Sequence, residues 1–355
     1  MTSVLPTDAP EFTPEWFTEV LAPTHPGVRV AAVEVLGRSA ATNLHLRLGL
    51  GYEDQVGAPD SVFVKLPPLD AAHREAIGAT GMGTREARFY AEVAPLLKMR
   101  VPTSYFSASA DDGSFVLVLE DLAARGCRIS DGSWAVPGEL AGRALEELAE
   151  MHVRFEDAAV RNEIAPWAGE RRMKATDFTT RMLRQVIDEH HDILSADYVA
   201  VGEIYIERHA ELEALWDQGP QTLIHGDAHV GNLFIDDGRV GFLDWGLTTV
   251  SSPMRDVSYF LTVGCDPDDR RRMQGDLLQH YLDVRRSLGG AEITFDEAWL
   301  AHRVQAAYTV IATFLGLVPP YNVPEGRLFA TAFRERSMAA LEDLDTVAAL
   351  RDVLP

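Results

Sequence analysis

The densest run of polar side chains lies in one short stretch: His225-Gly226-Asp227-Ala228-His229-Val230-Gly231-Asn232, followed by Phe242-Leu243-Asp244-Trp245. One chemistry these residue types can serve is phosphoryl transfer. It needs a carboxylate to orient the attacking hydroxyl and oxygen ligands to hold Mg²⁺ on the phosphates, because the transition state asks mainly for positioning and charge neutralisation. Asp227 suits the first task, and Asn232 with Asp244 suits the second. An amide and a carboxylate match a hard cation that keeps most of its waters. A second chemistry is also open. His225, Asp227 and His229 alternate as H-x-D-x-H and, with Asp244, could ligate the metal of a metallohydrolase. That reading leaves Asn232 unused, and the chain offers no further histidine cluster to complete a two-metal site.

These side chains need elements to hold them. Residues 221–245 read as two apolar runs around the turn Asp236-Asp237-Gly238, a strand–turn–strand that can bring Asn232 and Asp244 to the same end of a hairpin. Upstream, residues 29–36, 43–50 and 61–66 have β-branched or alternating character and read as strands. Gly37 and the Gly/Asp/Pro-rich stretch 51–60 separate them. Residues 84–98 read as a helix, with Thr84 as N-cap and Phe89, Val93, Leu96 and Leu97 at helical spacing. Two more strands are expected at 104–108 and 115–119, joined by Asp111-Asp112-Gly113. After Leu122 the texture turns helical. Leu145, Leu148, Met151 and Phe155 mark a helix from near Pro137, and further helices are expected at 174–189 and 196–216. Beyond Pro253 the pattern stays helical, with breaks at 265–267, 289–290 and 319–324.

Composition bounds the partners. At 355 residues, with 46% hydrophobic and 24% charged content, the chain reads as globular and long enough for two lobes. Its 54 acidic against 32 basic residues give a net charge of −22, which argues against nucleic acid or an anionic membrane as partner. The negative field favours solubility first, and a cationic substrate second. Cys127 and Cys265 have neither a disulfide framework nor zinc spacing, which predicts a reduced, cytoplasmic protein. The N-terminal residues lack a basic start followed by an apolar run, so no signal peptide is expected, and no apolar stretch is long enough to span a bilayer.

The pattern H-x-D-x-x-x-x-N from His225 to Asn232, with Asp244-Trp245 after it, resembles the catalytic segment of the aminoglycoside phosphotransferase and choline kinase superfamily, enzymes with the two-lobed protein-kinase-like fold. The resemblance implies Asp227 as catalytic base and Asn232 and Asp244 as Mg²⁺ ligands. Asp244-Trp245-Gly246 stands where protein kinases carry Asp-Phe-Gly. It also implies that His225 and His229 shape the loop, and that Asp256 braces it through backbone N–H groups. Such a fold calls for a strand lysine paired with a helix glutamate. Lys65, closing Val62-Phe63-Val64, and Glu86 in the following helix fit that pair, which sets the lysine on the nucleotide phosphates. Taken singly, Lys65 is a strand-end lysine reaching for solvent and Glu86 an acid favoured by the helix dipole. Residues 116–122, an apolar strand ending at two acids, resemble the hinge, where backbone groups near Glu120 and Leu122 bond the adenine edge. The phosphate-covering turn at 36–43 has one glycine only, and Ser39 with its backbone stands in for the Gly-rich loop. The motifs span residues 25–265 and look closest to aminoglycoside-phosphotransferase-like and ecdysteroid-kinase-like members.

The expectation is therefore an α+β, two-lobed kinase-like fold: an N-terminal antiparallel sheet with one main helix over residues 1–119, a hinge at 120–123, and a larger helical lobe over 124–355 with an embedded catalytic hairpin and the acceptor pocket. The expected activity is transfer of the γ-phosphate of ATP (or GTP), with Mg²⁺, to a hydroxyl of a small molecule, aminoglycoside-like or another alcohol. Leu300, Tyr308, Phe314, Leu315, Phe329 and Phe333 sit at helical spacing and read first as core. Should some face the acceptor, an apolar hydroxylated compound becomes the better substrate. The alternatives are a nucleotide-binding module without turnover and the metallohydrolase at His225, Asp227 and His229.

Overall fold

The computed structural model describes residues 5–40, 42–170, 177–318 and 326–354. Ala41 of the phosphate-covering turn, the start of the helix expected at 174–189 and the break at 319–324 lie outside them. The chain forms two compact units, Met1–Ile129 with Phe234–Thr248, and Ser130–Leu233 with Thr249–Pro355.

The first unit is built on an antiparallel sheet of β1 (Arg29–Ala40), β2 (Leu44–Asp54), β3 (Ser61–Leu66), β4 (Ser104–Ser109) and β5 (Phe115–Glu120), in the order β1-β2-β3-β5-β4. Alternation decides which face does what, because successive strand side chains point to opposite sides. Leu44, Leu46, Leu48 and Leu50, with Val62, Val64, Val116 and Val118, bury one face against Trp16, Phe17 and Leu21 of helix α1 (Pro14–Leu21). The intervening residues belong to the other face. There His45 lies across from Lys65, and Arg47 across from Phe63. A slip of one residue would exchange the leucines for this polar set.

Two helices of this unit were not legible in the sequence, α1 and α2 (Ala71–Gly78). The helix expected at 84–98 is also different in kind. It begins earlier, as α3 (Met82–Arg88), widens into a π-turn at Phe89–Val93 and tightens to 3-10 geometry at Ala94–Leu96. Pro95 accounts for the change, since its ring removes a donor and clashes with the preceding turn. The N-cap is Gly81, with left-handed backbone, and Thr84 sits inside the helix with its hydroxyl donating to Gly81 O at 2.9 Å. Strand β1 runs on to Ala40, so Ser39 pairs with His45 as a strand residue rather than lying in a turn. The returning strands Leu233–Asp236 and Arg239–Phe242 turn at Asp237 and Gly238, both at positive φ, and Arg128–Ile129 pairs alongside them.

The second unit is helical: α4 (Gly138–Arg154), α5 (Ala158–Ile164), α6 (Asp177–His190), α7 (Ala196–Trp216), α8 (Pro253–Gly264), α9 (Pro267–Ser287), α10 (Phe295–Gln305), α11 (Tyr308–Thr313), α12 (Arg327–Asp343) and α13 (Thr346–Val353). Leu145, Leu148 and Met151 are buried on one face of α4, as their spacing predicts. A core of Tyr198, Val201, Tyr205 and Trp216 from α7 packs with Val304, Val310, Phe314, Leu341 and Leu350. Thr222–Ile224 and Thr249–Ser251 pair as two short antiparallel strands at either end of the candidate catalytic stretch. Among the described residues no helix is long and apolar enough to cross a membrane.

Helix α3 approaches β5 closely at Gly83, where an added Cβ would fall within the Phe115 ring. Gly83→Ala is therefore expected to destabilise the protein by about 1–3 kcal/mol, the usual cost of overpacking. The check is a lowered denaturant midpoint at unchanged m value.

Candidate active site

Lys65 is the centre of the first unit's polar architecture. Its Nζ lies 2.5 Å from Glu86 Oε2 and 3.1 Å from Asp244 Oδ1. Lys65 and Glu86 are buried, whereas the Asp244 side chain is 50% exposed. Strand β3, helix α3 and the segment after Arg239–Phe242 thus meet at one ammonium. Trp245 reinforces the junction: its backbone N–H donates to Glu86, and its ring stacks on Phe89 with centroids 4.0 Å apart. Burial works against the charged lysine, but Asp244 and Glu86 outweigh it and hold the Lys65 pKa above its ordinary value. Burial also pushes Glu86 up, to about 7, with Lys65 pulling it down and Asp244 adding to the rise. One cation serves two carboxylates. Asp244 adopts a left-handed backbone, φ 64°, uncommon outside glycine.

Beside this cluster is a cavity of about 250 Å³, walled by His45, Arg47 and Phe63 from the sheet, Glu86 and Tyr90 from the helical segment, and Leu119, Glu120, Asp121, Leu122 and Ala123. The two acids of that last stretch are committed within the protein. Glu120 accepts from Arg100 with both oxygens at 2.9 Å, and Arg100 also pairs with Asp236 at 2.9 Å. Asp121 accepts from Arg47 at 2.9 Å and from Ser61 at 2.8 Å. Burial works against its ionisation, but these donors hold its carboxyl below the ordinary range.

In the second unit the candidate catalytic loop hangs on Asp256, in the first turn of α8. Its carboxylate accepts from His225 N at 2.7 Å and Gly226 N at 2.9 Å. Gly226 has φ 80°, a conformation that favours glycine. His152 of α4 donates to Asp256 from Nε2 at 3.1 Å and accepts the Tyr281 hydroxyl on Nδ1 at 2.8 Å. Burial pushes His152 down, which fits this neutral form. Burial opposes the charge on Asp256, yet His152 and the backbone donors keep it below its ordinary value.

The loop then folds on itself. Asp227 N donates to His225 Nδ1 at 3.2 Å, and Gly231 N to His229 Nδ1 at 2.9 Å, so these two lone pairs are used within the loop rather than offered to a metal. Asn232 Nδ2 donates to Asp227 O at 3.0 Å and to Asp227 Oδ2 at 3.2 Å, leaving Asn232 Oδ1 without a partner among the described residues. Asn232 is buried, while the Asp227 side chain keeps 25% exposure. Aromatic rings gather beside it: Phe333, Phe329 and Tyr259 stand 4.8, 5.6 and 6.0 Å from the His229 ring. A fixed, accessible carboxylate next to a free amide oxygen can orient a hydroxyl and offer oxygen to a hard cation.

The family model described as the phosphotransferase enzyme family matches residues 48–291, well over half of the chain. The protein belongs to that family. The structure of this phosphotransferase is similar to that of choline kinase from Cryptosporidium parvum Iowa II, at 10% identity and a TM-score of 0.56, covering 96% of this chain and 99% of that one. Plasmodium vivax ethanolamine kinase gives 12% identity and a TM-score of 0.56, covering 91% and 84%. The GDP complex of aminoglycoside 2′-phosphotransferase-IIIa gives 14% identity and a TM-score of 0.51, covering 92% and 98%. At these identities the likeness is one of fold, and the fold is the α+β kinase-like one. No curated protein matches the chain. The family makes the chain a small-molecule kinase, a phosphotransferase with an alcohol group as acceptor.

Of the residues singled out in the phosphotransferase sequence, Lys65, Glu86 and Asp244 come together, and Glu120 and Leu122 line the same cavity. Asp227 and Asn232 come together in the second unit. Ser39 is exposed on β1 across from His45 and is not among the cavity-lining residues. His45, Tyr90, Arg100 and His152 were missed. His45 occupies a place between the leucines of β2, on the other face and across from Lys65, and Tyr90 follows Glu86 by one helical turn. Either spacing was a usable signal. Arg100 gave none.

Lys65→Met would strand two carboxylates without their cation, so the expected loss of stability at neutral pH is about 3–5 kcal/mol. The deficit should shrink as pH falls towards 7, because Glu86, already at about 7 beside the lysine, rises further once that cation is gone and takes up its proton first in the variant; below 7 it is protonated in both proteins and the deficit levels off. Denaturant titrations of both proteins from pH 5.5 to 8 check both points.

Proposed function

We propose that the protein moves the γ-phosphate of ATP (or GTP) to a hydroxyl of a small molecule, with Lys65 on the nucleotide phosphates and Asp227 as catalytic base. The observation that carries the reading is the buried Lys65 held by Glu86 and Asp244 at the edge of a largely apolar cavity. A fixed ammonium aimed at phosphate and an apolar wall for a base are the two things a nucleotide asks for. Backbone groups of Glu120 and Leu122 meet the adenine edge, and Ser39 covers the phosphates from the end of β1. In this reading residues 1–119 bind the nucleotide, 120–123 form the hinge, and 124–355 carry the base and the acceptor pocket.

Asn232 and Asp244 would hold Mg²⁺. The fit rests on the chemistry of the pair: Nδ2 of Asn232 is spent on the loop while its Oδ1 has no partner among the described residues, and Asp244 offers a half-exposed carboxylate. Mg²⁺, when bound, neutralises the charge that develops on the phosphates. Asp227 needs only to align the acceptor hydroxyl and take its proton, and the amide of Asn232 keeps its carboxylate in place.

Of the three rings beside the loop Phe333 and Tyr259 are buried, and the partly exposed Phe329 favours an acceptor whose hydroxyl is flanked by an apolar face. The free thiols of Cys127 and Cys265 support a cytoplasmic setting. A thermal-shift screen of alcohols and amino sugars, with Mg²⁺-nucleotide present, tests the acceptor class, since a ligand that binds only the native state raises its stability.

Asp227→Asn is expected to lower kcat by about 10²–10⁴, the usual worth of a positioned base, with nucleotide affinity nearly unchanged. Asp244→Ala should weaken nucleotide binding in the presence of Mg²⁺ as well as slowing transfer. Calorimetric titration with a non-hydrolysable nucleotide separates the two. Equal loss of binding in both variants would contradict the assigned roles, and wild-type protein that binds nucleotide yet turns over no acceptor would favour a binding module.

A further inference from the structure

The cavity beside Lys65 has an imbalance in its hydrogen bonding. Its charged side chains are paired within the protein: Lys65 with Glu86 and Asp244, Arg47 with Asp121, Glu120 with Arg100. Two buried side-chain atoms of the wall have no partner among the described residues, His45 Nε2 and the Tyr90 hydroxyl. A buried polar atom left without a hydrogen bond is costly, and such groups in a native protein call for an explanation.

The two differ in placement. Tyr90 is 2% exposed and belongs to the helical segment behind Glu86. His45 is only partly buried and stands on β2 directly across from Lys65, on the face of the sheet that walls the cavity. Its ring tilts against Phe63, with centroids 5.2 Å apart, which fixes the imidazole between an apolar ring and an ammonium. Cross-strand neighbours lie about 5 Å apart at Cβ. A group touching the phosphate that Lys65 holds is therefore within reach of His45.

The geometry points to His45 as a ligand-contacting residue: its Nε2 hydrogen-bonds the nucleotide where the sugar joins the phosphates, setting nucleotide affinity alongside Lys65. The inference rests on the nucleotide reading of this cavity given above. Burial and the neighbouring Lys65 push the imidazole down, to about 4, against the pull of Asp244, so at neutral pH the ring is uncharged. Before a nucleotide arrives the ring therefore adds no positive charge to the one on Lys65. A sugar hydroxyl or an α-phosphate oxygen can complete its hydrogen bond.

The test compares His45→Phe, which keeps a ring but no polar atom, and His45→Gln, which keeps a donor and an acceptor, with the wild type. His45→Phe is expected to melt no lower than wild type without ligand, since it removes an unpartnered buried atom. It should raise the nucleotide KM about tenfold, the worth of one well-placed hydrogen bond, and leave the acceptor KM alone. His45→Gln should recover part of the loss. Running 2′-deoxy, 3′-deoxy and α-thio nucleotides on both proteins separates the two partners, because the analogue lacking the true partner loses affinity in the wild type and not in His45→Phe. Unchanged nucleotide KM and unchanged nucleotide-induced thermal shift in His45→Phe would overturn the inference while leaving the nucleotide reading intact. A wild type that is not stabilised by any Mg²⁺-nucleotide would overturn both.

Discussion

A single buried ammonium organises the first unit. Lys65, Glu86 and Asp244 are far apart in sequence and come from a strand, a helix and the end of a hairpin, yet they share one ionic junction. Electrostatics in a buried setting makes such a junction costly to form and costlier to leave incomplete, and well-packed apolar side chains usually hold a fold as well or better. Stability alone therefore gives no reason for it. Two carboxylates that share one ammonium leave an excess of negative charge beside a cavity, an arrangement suited to receive a further cation.

The second unit solves a related problem with different means. Asp256 is buried without a formal cation, and its charge is spread over two backbone N–H groups and a neutral histidine. Because those N–H groups belong to His225 and Gly226, the carboxylate fixes the backbone one residue ahead of Asp227. Asn232 then closes the loop from its other end. The result is a side chain aimed by its scaffold before any ligand arrives, and this kind of pre-organisation is where phosphoryl-transfer enzymes gain most of their rate. The rings of Tyr259 and Phe333, both buried, pack against His229 and hold the loop from a further side.

Local patterns were readable in the sequence, and contacts between remote segments were not. The leucines of β2 announce their strand and its buried face, and the loop motif from His225 to Asn232 is short enough to be recognised whole. The start of α3 was misread because Thr84 is a good capping residue, whereas the real cap depends on the left-handed backbone of Gly81. The π-turn at Phe89 follows from Pro95 and from the stacking of Phe89 on Trp245, a partner more than a hundred residues away. Ser39 was read as a loop residue because the strand pairing that carries β1 past it is invisible to local composition. Leu300 is exposed although it shares the spacing of core residues, while Phe329 and Phe333 sit against the loop histidine. The arginines holding Glu120 and Asp121 have no local signature at all.

Asp244 carries its carboxylate on a backbone that glycine would adopt more readily, a conformation costing an ordinary residue about 1–2 kcal/mol. Under the proposed role of Asp244 as an Mg²⁺ ligand, local preference and chemistry pull in opposite directions at this one position. In a descendant that no longer needed to turn over a substrate, the pull of chemistry would vanish, and glycine would be the favoured replacement. If Asp244 holds Mg²⁺ as proposed, the identity of the residue at 244 is an inexpensive marker for telling working relatives from retired ones.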